Sequence, residues 1–135
     1  MASITMRFPF LLSLAFFSLL VKMGCVGATN VTVHFINNMP KCISEAVYIR
    51  CNPYGSLSYV EHSLQVGEDY QWTPPKPDET YYCVSFWQSS FGDWHGYDPK
   101  RDSGHPLVYF NINKNGFYLG YDEAHLKPIA AWQTE

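Results

Sequence analysis

Positive charge is scarce in this 135-residue chain: nine Lys and Arg stand against twelve Asp and Glu. An acidic chain with dispersed cations does not suit a phosphate backbone or an anionic leaflet, so no nucleic-acid partner is expected. Long apolar runs are equally few. One lies near the N-terminus and no second follows. Beyond it no stretch sustains a 3.6-residue period, which argues against helical architecture. Repeats and low-complexity tracts are missing. The serines have no Gly-x-Ser-x-Gly context, and no glycine motif for phosphate is present. The five histidines, His34, His62, His95, His105 and His125, show neither i,i+4 pairing nor clustering with cysteine. No cofactor and no metal ligand is therefore expected.

The single apolar run is informative. Arg7 precedes a segment from Phe8 to Val21, and Val26, Gly27 and Ala28 form a small-residue exit. This is the order of a secretory signal peptide. Its core from Phe10 to Val21 is short for a bilayer about 30 Å thick. Cleavage is expected after Ala28, leaving residues 29–135 as one secreted, extracellular domain with no integral membrane segment. The cut removes Arg7 and Lys22 and no acid, so seven basic residues face twelve acidic ones and the formal charge becomes −5. All four Trp and all ten Tyr lie in the mature part, where they can fill a small core.

Cys25 leaves with the signal peptide, and Cys42, Cys51 and Cys83 remain. An odd number in a secreted chain allows one bridge and one leftover thiol, and three pairings are open. Asn30-Val31-Thr32 is the one glycosylation sequon; a glycan there would solubilise the N-terminal edge.

The mature chain reads as short strands separated by turn residues. Thr29–Asn37 alternates, with Val31, Val33 and Phe35 opposite Thr32, His34 and Ile36. Glu45–Cys51, Leu57–Val66 and Tyr70–Thr73 are further candidates, with a tight turn at Asn52–Gly55. The prolines of Thr73–Asp78 predict a stiff surface loop. Thr80–Trp87 is apolar on both faces and is expected at the sheet centre. Gln88–Gly104 reads as a long polar loop with a short strand near Trp94–Tyr97. Leu107–Ile112 and Phe117–Tyr121 flank a hairpin turn marked by Asn115-Gly116. A helical turn is expected at Asp122–Leu126. The pattern predicts an all-β fold, a small antiparallel β-sandwich of about eight short strands.

At this point an ordered set of residues becomes recognisable: Val33–Asn38, a strand ending in Cys51, Val66–Trp72, Thr80–Trp87, Trp94–Asp98, Arg101-Asp102 and Asn115–Tyr118. Together they resemble the plant self-incompatibility protein homologue family across nearly the whole mature chain. The resemblance implies an antiparallel β-sandwich and a secreted ligand recognised by a plasma-membrane protein receptor. It also implies a Cys51–Cys83 bridge, with Cys42–Cys51 as the competing pair. The family's usual second disulfide has no counterpart, since no cysteine lies between Arg101 and Phe110, and Phe110 stands where the family has tryptophan. Cys42 is extra, a possible free or intermolecular thiol, so the protein is expected as a monomer or a Cys42-linked dimer.

Trp87 is expected in the core and Trp72 half-buried. Trp94, set among polar residues, is the best candidate for an exposed anchor. With Phe91, His95, Tyr97, Lys100 and Arg101 it makes Gln88–Asp102 the candidate binding loop. Arg101-Asp102 also suits a local brace for that loop. Asp93 and His95 could act as an acid–base pair, but no nucleophile accompanies them. The leading expectation is a non-enzymatic signalling or recognition protein. A cell-wall carbohydrate-binding module is the alternative, and a small secreted hydrolase the remote one. The hydrolase would need two carboxylates about 5 to 10 Å apart in a cleft.

Overall fold

The computed structural model describes residues 30–42, 45–53, 56 and 59–134. The expected signal peptide and its cleavage point, and part of the Asn52–Gly55 turn, lie outside these residues. Ten strands are described: β1 (Thr32–Asn37), β2 (Val47–Pro53), β3 (Val60–Leu64), β4 (Asp69–Trp72), β5 (Tyr81–Trp87), β6 (Ser90–Tyr97), β7 (Leu107–Asn113), β8 (Gly116–Gly120), β9 (Lys127–Ala130) and β10 (Gln133–Thr134). A single helical turn, α1 (Pro99–Asp102), separates β6 from β7. Sheet A has the order β4-β1-β7-β8-β9 and sheet B the order β10-β6-β5-β2-β3.

The class is the all-β sandwich of short strands that the sequence implied. Two details differ. The strands number ten among the described residues, and β1 runs parallel to β7, with Val33 opposite Val108 and Phe35 opposite Phe110. A parallel pair needs a long crossover, and here almost the whole domain lies between the two strands.

Alternation decides what enters the core. Val33 and Phe35 of β1, Val108, Phe110 and Ile112 of β7, and Phe117 and Leu119 of β8 point inward from sheet A. Val47, Ile49 and Cys51 of β2 meet them from sheet B, with Tyr81 and Cys83 of β5. Trp72 is buried rather than half-buried, because Phe35 and Tyr81 pack on its two sides. Trp87, expected in the core, lies at its margin against Trp132. Cys51 and Cys83 are directly opposed on β2 and β5 and form the disulfide. Cys42 is free and exposed.

The proline loop is pinned to the sandwich. Tyr97 Oη donates to Pro77 O at 2.8 Å, and Tyr81 Oη accepts from Lys76 N at 2.9 Å. No helical turn forms at Asp122–Leu126. Instead Asp122 Oδ1 accepts from Ala124 N and His125 N, both at 2.8 Å, which satisfies the amides as a bend. The chain then adds β9 to sheet A, crosses over, and ends as β10 on sheet B. Pro128 is tolerated because β9 is an edge strand.

Gln88–Gly104 is likewise not one loop. Trp87 pairs with Ser90, so β5 and β6 form a hairpin around Gln88 and Ser89. Gln88 adopts φ 54°, a left-handed backbone in which a side chain is disfavoured. Gln88→Gly is therefore expected to stabilise the fold by about 0.5–1 kcal/mol, net of the extra freedom glycine has when unfolded. Urea unfolding would show it, and a lower midpoint would refute the strain.

Candidate functional site

The six residues of the candidate loop are divided by β6. Phe91, Asp93 and His95 face solvent, whereas Gly92, Trp94 and Gly96 face the core. Trp94 is only 6 % exposed and Tyr97 only 4 %, so neither is a surface anchor. Trp94 stacks on Phe117 at 4.4 Å and meets Phe35 edge-on at 6.1 Å. The two glycines make this possible. A Cβ on Gly92 would overlap the Phe117 ring, and one on Gly96 would overlap Cys83 Sγ of the disulfide.

Arg101 is drawn inward as well. Asp102 is fully buried, and its carboxylate gathers four donors. Oδ1 accepts from Arg101 Nε at 2.7 Å and Tyr121 Oη at 2.8 Å; Oδ2 accepts from an Arg101 terminal nitrogen at 2.8 Å and Asp98 N at 2.9 Å. The guanidinium lies 5.6 Å from the Phe110 ring centre and closes that end of the core. Lys100 is exposed on α1.

Burial, together with the hydrogen bond to Asp102, pushes the Tyr121 phenol up to about 12. Burial also raises Tyr81 and Tyr97. Unfolded phenols ionise near pH 10. Between about pH 10 and 12 the folded chain then keeps a proton on Tyr121 that the unfolded chain has lost. This contribution is complete below pH 10 and disappears as pH rises through 12. Tyr121→Phe should flatten the alkaline limb of a stability-against-pH curve. A limb unchanged by that substitution would assign it to another group.

Four of the five histidines have carboxylate neighbours. His34 Nδ1 lies 3.0 Å from Asp69, His62 Nε2 2.6 Å from Glu68, and His125 Nδ1 3.0 Å from Asp122. His95 Nδ1 lies 3.6 Å from Asp98 rather than bonding Asp93, and His105 stacks on Tyr121 at 3.5 Å. Among the described residues no three His, Cys, Asp or Glu side chains cluster to hold a metal ion.

What the strands do assemble is an aromatic surface on the outer face of sheet B. Registry across β2, β5 and β6 aligns Tyr48, Phe86 and Phe91 in one row. The next row is Arg50, Val84 and Asp93, and the third is Asn52, Tyr82 and His95. Tyr82 is 40 % exposed, Phe86 43 % and Tyr59, beside Arg50, 53 %. The solvent face of an antiparallel sheet is ordinarily polar, so exposed aromatic side chains gathered on one make it the candidate interaction surface. Thr80–Trp87 is central, as expected, but only its Tyr81, Cys83 and Ser85 are buried. The signal for the missed residues was present: Tyr82, Val84 and Phe86 are the second apolar face of that strand.

Taken together, the fold is a two-sheet sandwich whose sheet B carries aromatic side chains on its outer face. A solved structure shares it: that of SPH (Self-Incompatibility Protein Homologue) proteins, described as a widespread family of small, highly stable, secreted proteins from plants. The match has a TM-score of 0.55 at 13 % identity and covers 78 % of this chain and 96 % of that one. The likeness is one of fold, and it is the fold the sequence resemblance implied. No family model and no curated protein matches the chain by sequence.

Proposed function

We propose that the chain is a secreted, non-enzymatic recognition protein that acts as a ligand for a plasma-membrane protein receptor through the outer face of sheet B. The observation that carries this reading is the concentration of exposed aromatic side chains, Tyr59, Tyr82 and Phe86, on that one face. Arg50, Glu61 and Asp93 lie among them and supply charges of both signs, which suit registration against a folded protein. Tyrosine and arginine are common binding hot spots. Secretion is supported by the signal-like N-terminus and by the secreted character of the SPH proteins whose fold it shares. Asn30 is exposed and leads into β1, so a glycan there would stand on sheet A.

The test is binding of labelled residues 29–135 to plant protoplasts, pollen protoplasts included, against unlabelled competitor. Saturable binding abolished by surface proteolysis is expected. Tyr82→Ala with Phe86→Ala should weaken it roughly tenfold or more, at about 1.4 kcal/mol per tenfold. Loss of the Tyr82–His95 and Tyr48–Phe86 ring contacts should lower the melting temperature by only several degrees, at about 4–8 °C per kcal/mol, and leave the fold intact. Binding indifferent to proteolysis would withdraw the receptor, and binding indifferent to the double variant would withdraw the face. The carbohydrate-binding alternative draws its support from a different surface.

A further inference from the structure

The outer face of sheet A holds a cleft of about 350 Å³ that the aromatic surface does not use. Its floor is Ile36 of β1 with Tyr109 and Asn111 of β7. Asp69 and Asn38 border it on one side, Glu123 and Leu126 on the other. The second wall depends on a glycine. A Cβ on Gly120 would come within 2.6 Å of His125 O and 2.7 Å of Asp122 O, so the bend at 122–126 lies on the sheet because nothing projects beneath it. The floor is braced too. The His34 ring stacks on Tyr109 at 4.5 Å, and His34 Nδ1 holds the Asp69 carboxylate at 3.0 Å. A cleft whose polar groups are already fixed loses less freedom when a ligand arrives.

The lining defines the ligand. Two carboxamides, two carboxylates and a phenol surround a strip of aliphatic surface, and among the described residues no lysine or arginine joins them. Carboxylates and carboxamides can accept from and donate to neighbouring hydroxyl groups, while Ile36, Leu126 and the Tyr109 ring suit the C–H face of a sugar. An anionic ligand would face two negative charges. A peptide strand would require a sheet edge, and β1 and β7 are both interior strands. We propose that this cleft binds a neutral saccharide. Its volume is at the small end of ligand pockets, roughly 300–1,000 Å³, which suits a short stretch of a longer glycan.

The test is an amide chemical-shift titration of residues 29–135 with cellotetraose, xylotetraose and mannotetraose in turn, with trigalacturonate as the anionic control. At least one neutral probe is expected to saturate with an affinity of about 0.1–1 mM, shifting Ile36, Asn38, Tyr109 and Asn111. Asn38→Ala with Glu123→Gln should weaken it about tenfold or more; both side chains are exposed, so spectra away from the cleft should not change. Tyr82→Ala with Phe86→Ala should leave it intact, which separates this site from the receptor face. No saturation by any neutral probe at roughly 10 mM would overturn the proposal, as would shifts confined to sheet B or equal binding of trigalacturonate. Conversion of a probe to shorter sugars would likewise overturn it, since the cleft would then hydrolyse the sugar rather than hold it.

Discussion

Replacing both Cys51 and Cys83 by alanine is expected to lower the unfolding free energy by about 3 to 4 kcal/mol. The two residues are 32 apart in sequence and lie directly opposite each other on β2 and β5. Closing a loop of that length removes conformations mainly from the unfolded chain, and the chain-entropy relation gives this magnitude. For a domain of this size the melting temperature should drop by roughly 15 °C, at about 4 °C or more per kcal/mol. The second cysteine pair implied by the family resemblance is missing, so no other bridge joins the described residues. Cys42 is exposed and unbridged, and Cys42→Ala should leave the melting temperature where it was. A loss below about 1 kcal/mol in the double variant, against the 2–5 usual for small secreted domains, would show that the strands alone hold this pairing.

The second large effect is expected from Arg101→Ala. Asp102 has no exposed surface, and Arg101 supplies two of its four hydrogen bonds and its compensating charge. Burial alone would lower the affinity of Arg101 for its proton, yet the Asp102 hydrogen bond and charge reverse that and raise it. Removing one partner of a buried pair leaves the other charge uncompensated and costs about 3 to 5 kcal/mol. About 3 kcal/mol is expected here, because the Arg101 side chain keeps 23 % of its surface in water. Arg101→Lys should cost less, since it keeps the charge and loses the two-pronged geometry. Urea midpoints measure both. A midpoint unmoved by Arg101→Ala would free Arg101 for a partner and reinstate it as a recognition residue. Otherwise any binding defect of this variant reports unfolding, and Tyr82 and Phe86 are the informative positions.

The sandwich itself was legible because period-two alternation survives in β1, β2, β7 and β8. The same rule applies in β6, but glycine hides it. Gly92 and Gly96 occupy core positions where a reader looks for large apolar residues, so the segment resembles a loop and Trp94 resembles an exposed anchor. What puts the glycines there is the Phe117 ring and the disulfide, both distant in sequence. The two closing strands failed for a related reason. Pro128 argues locally against a strand, and only its edge position in sheet A removes the objection. Nor does any local pattern announce that β1 pairs parallel to β7, since that choice depends on residues 75 positions away. The sheet A cleft was invisible for the same cause: Asp69, Tyr109 and Glu123 come from three separate segments.

That parallel pairing also sets a timetable for biosynthesis. β1 is the first of the described strands to leave the ribosome, yet its neighbours β4 and β7 are made later. At about 5–20 residues per second, the wait between Asn37 and Asn113 is roughly 4 to 15 s. Until Trp72 is made both edges of the apolar Val33–Phe35 segment are free, and the edge that β7 takes stays open for the whole interval, a state that invites association with other chains. In sheet B, β2, β3, β5 and β6 are complete once Tyr97 is made, and only the two-residue edge strand β10 comes later. Oxidation of Cys51 and Cys83 can therefore precede closure of the sandwich, and the half that forms first is the half that carries the aromatic face.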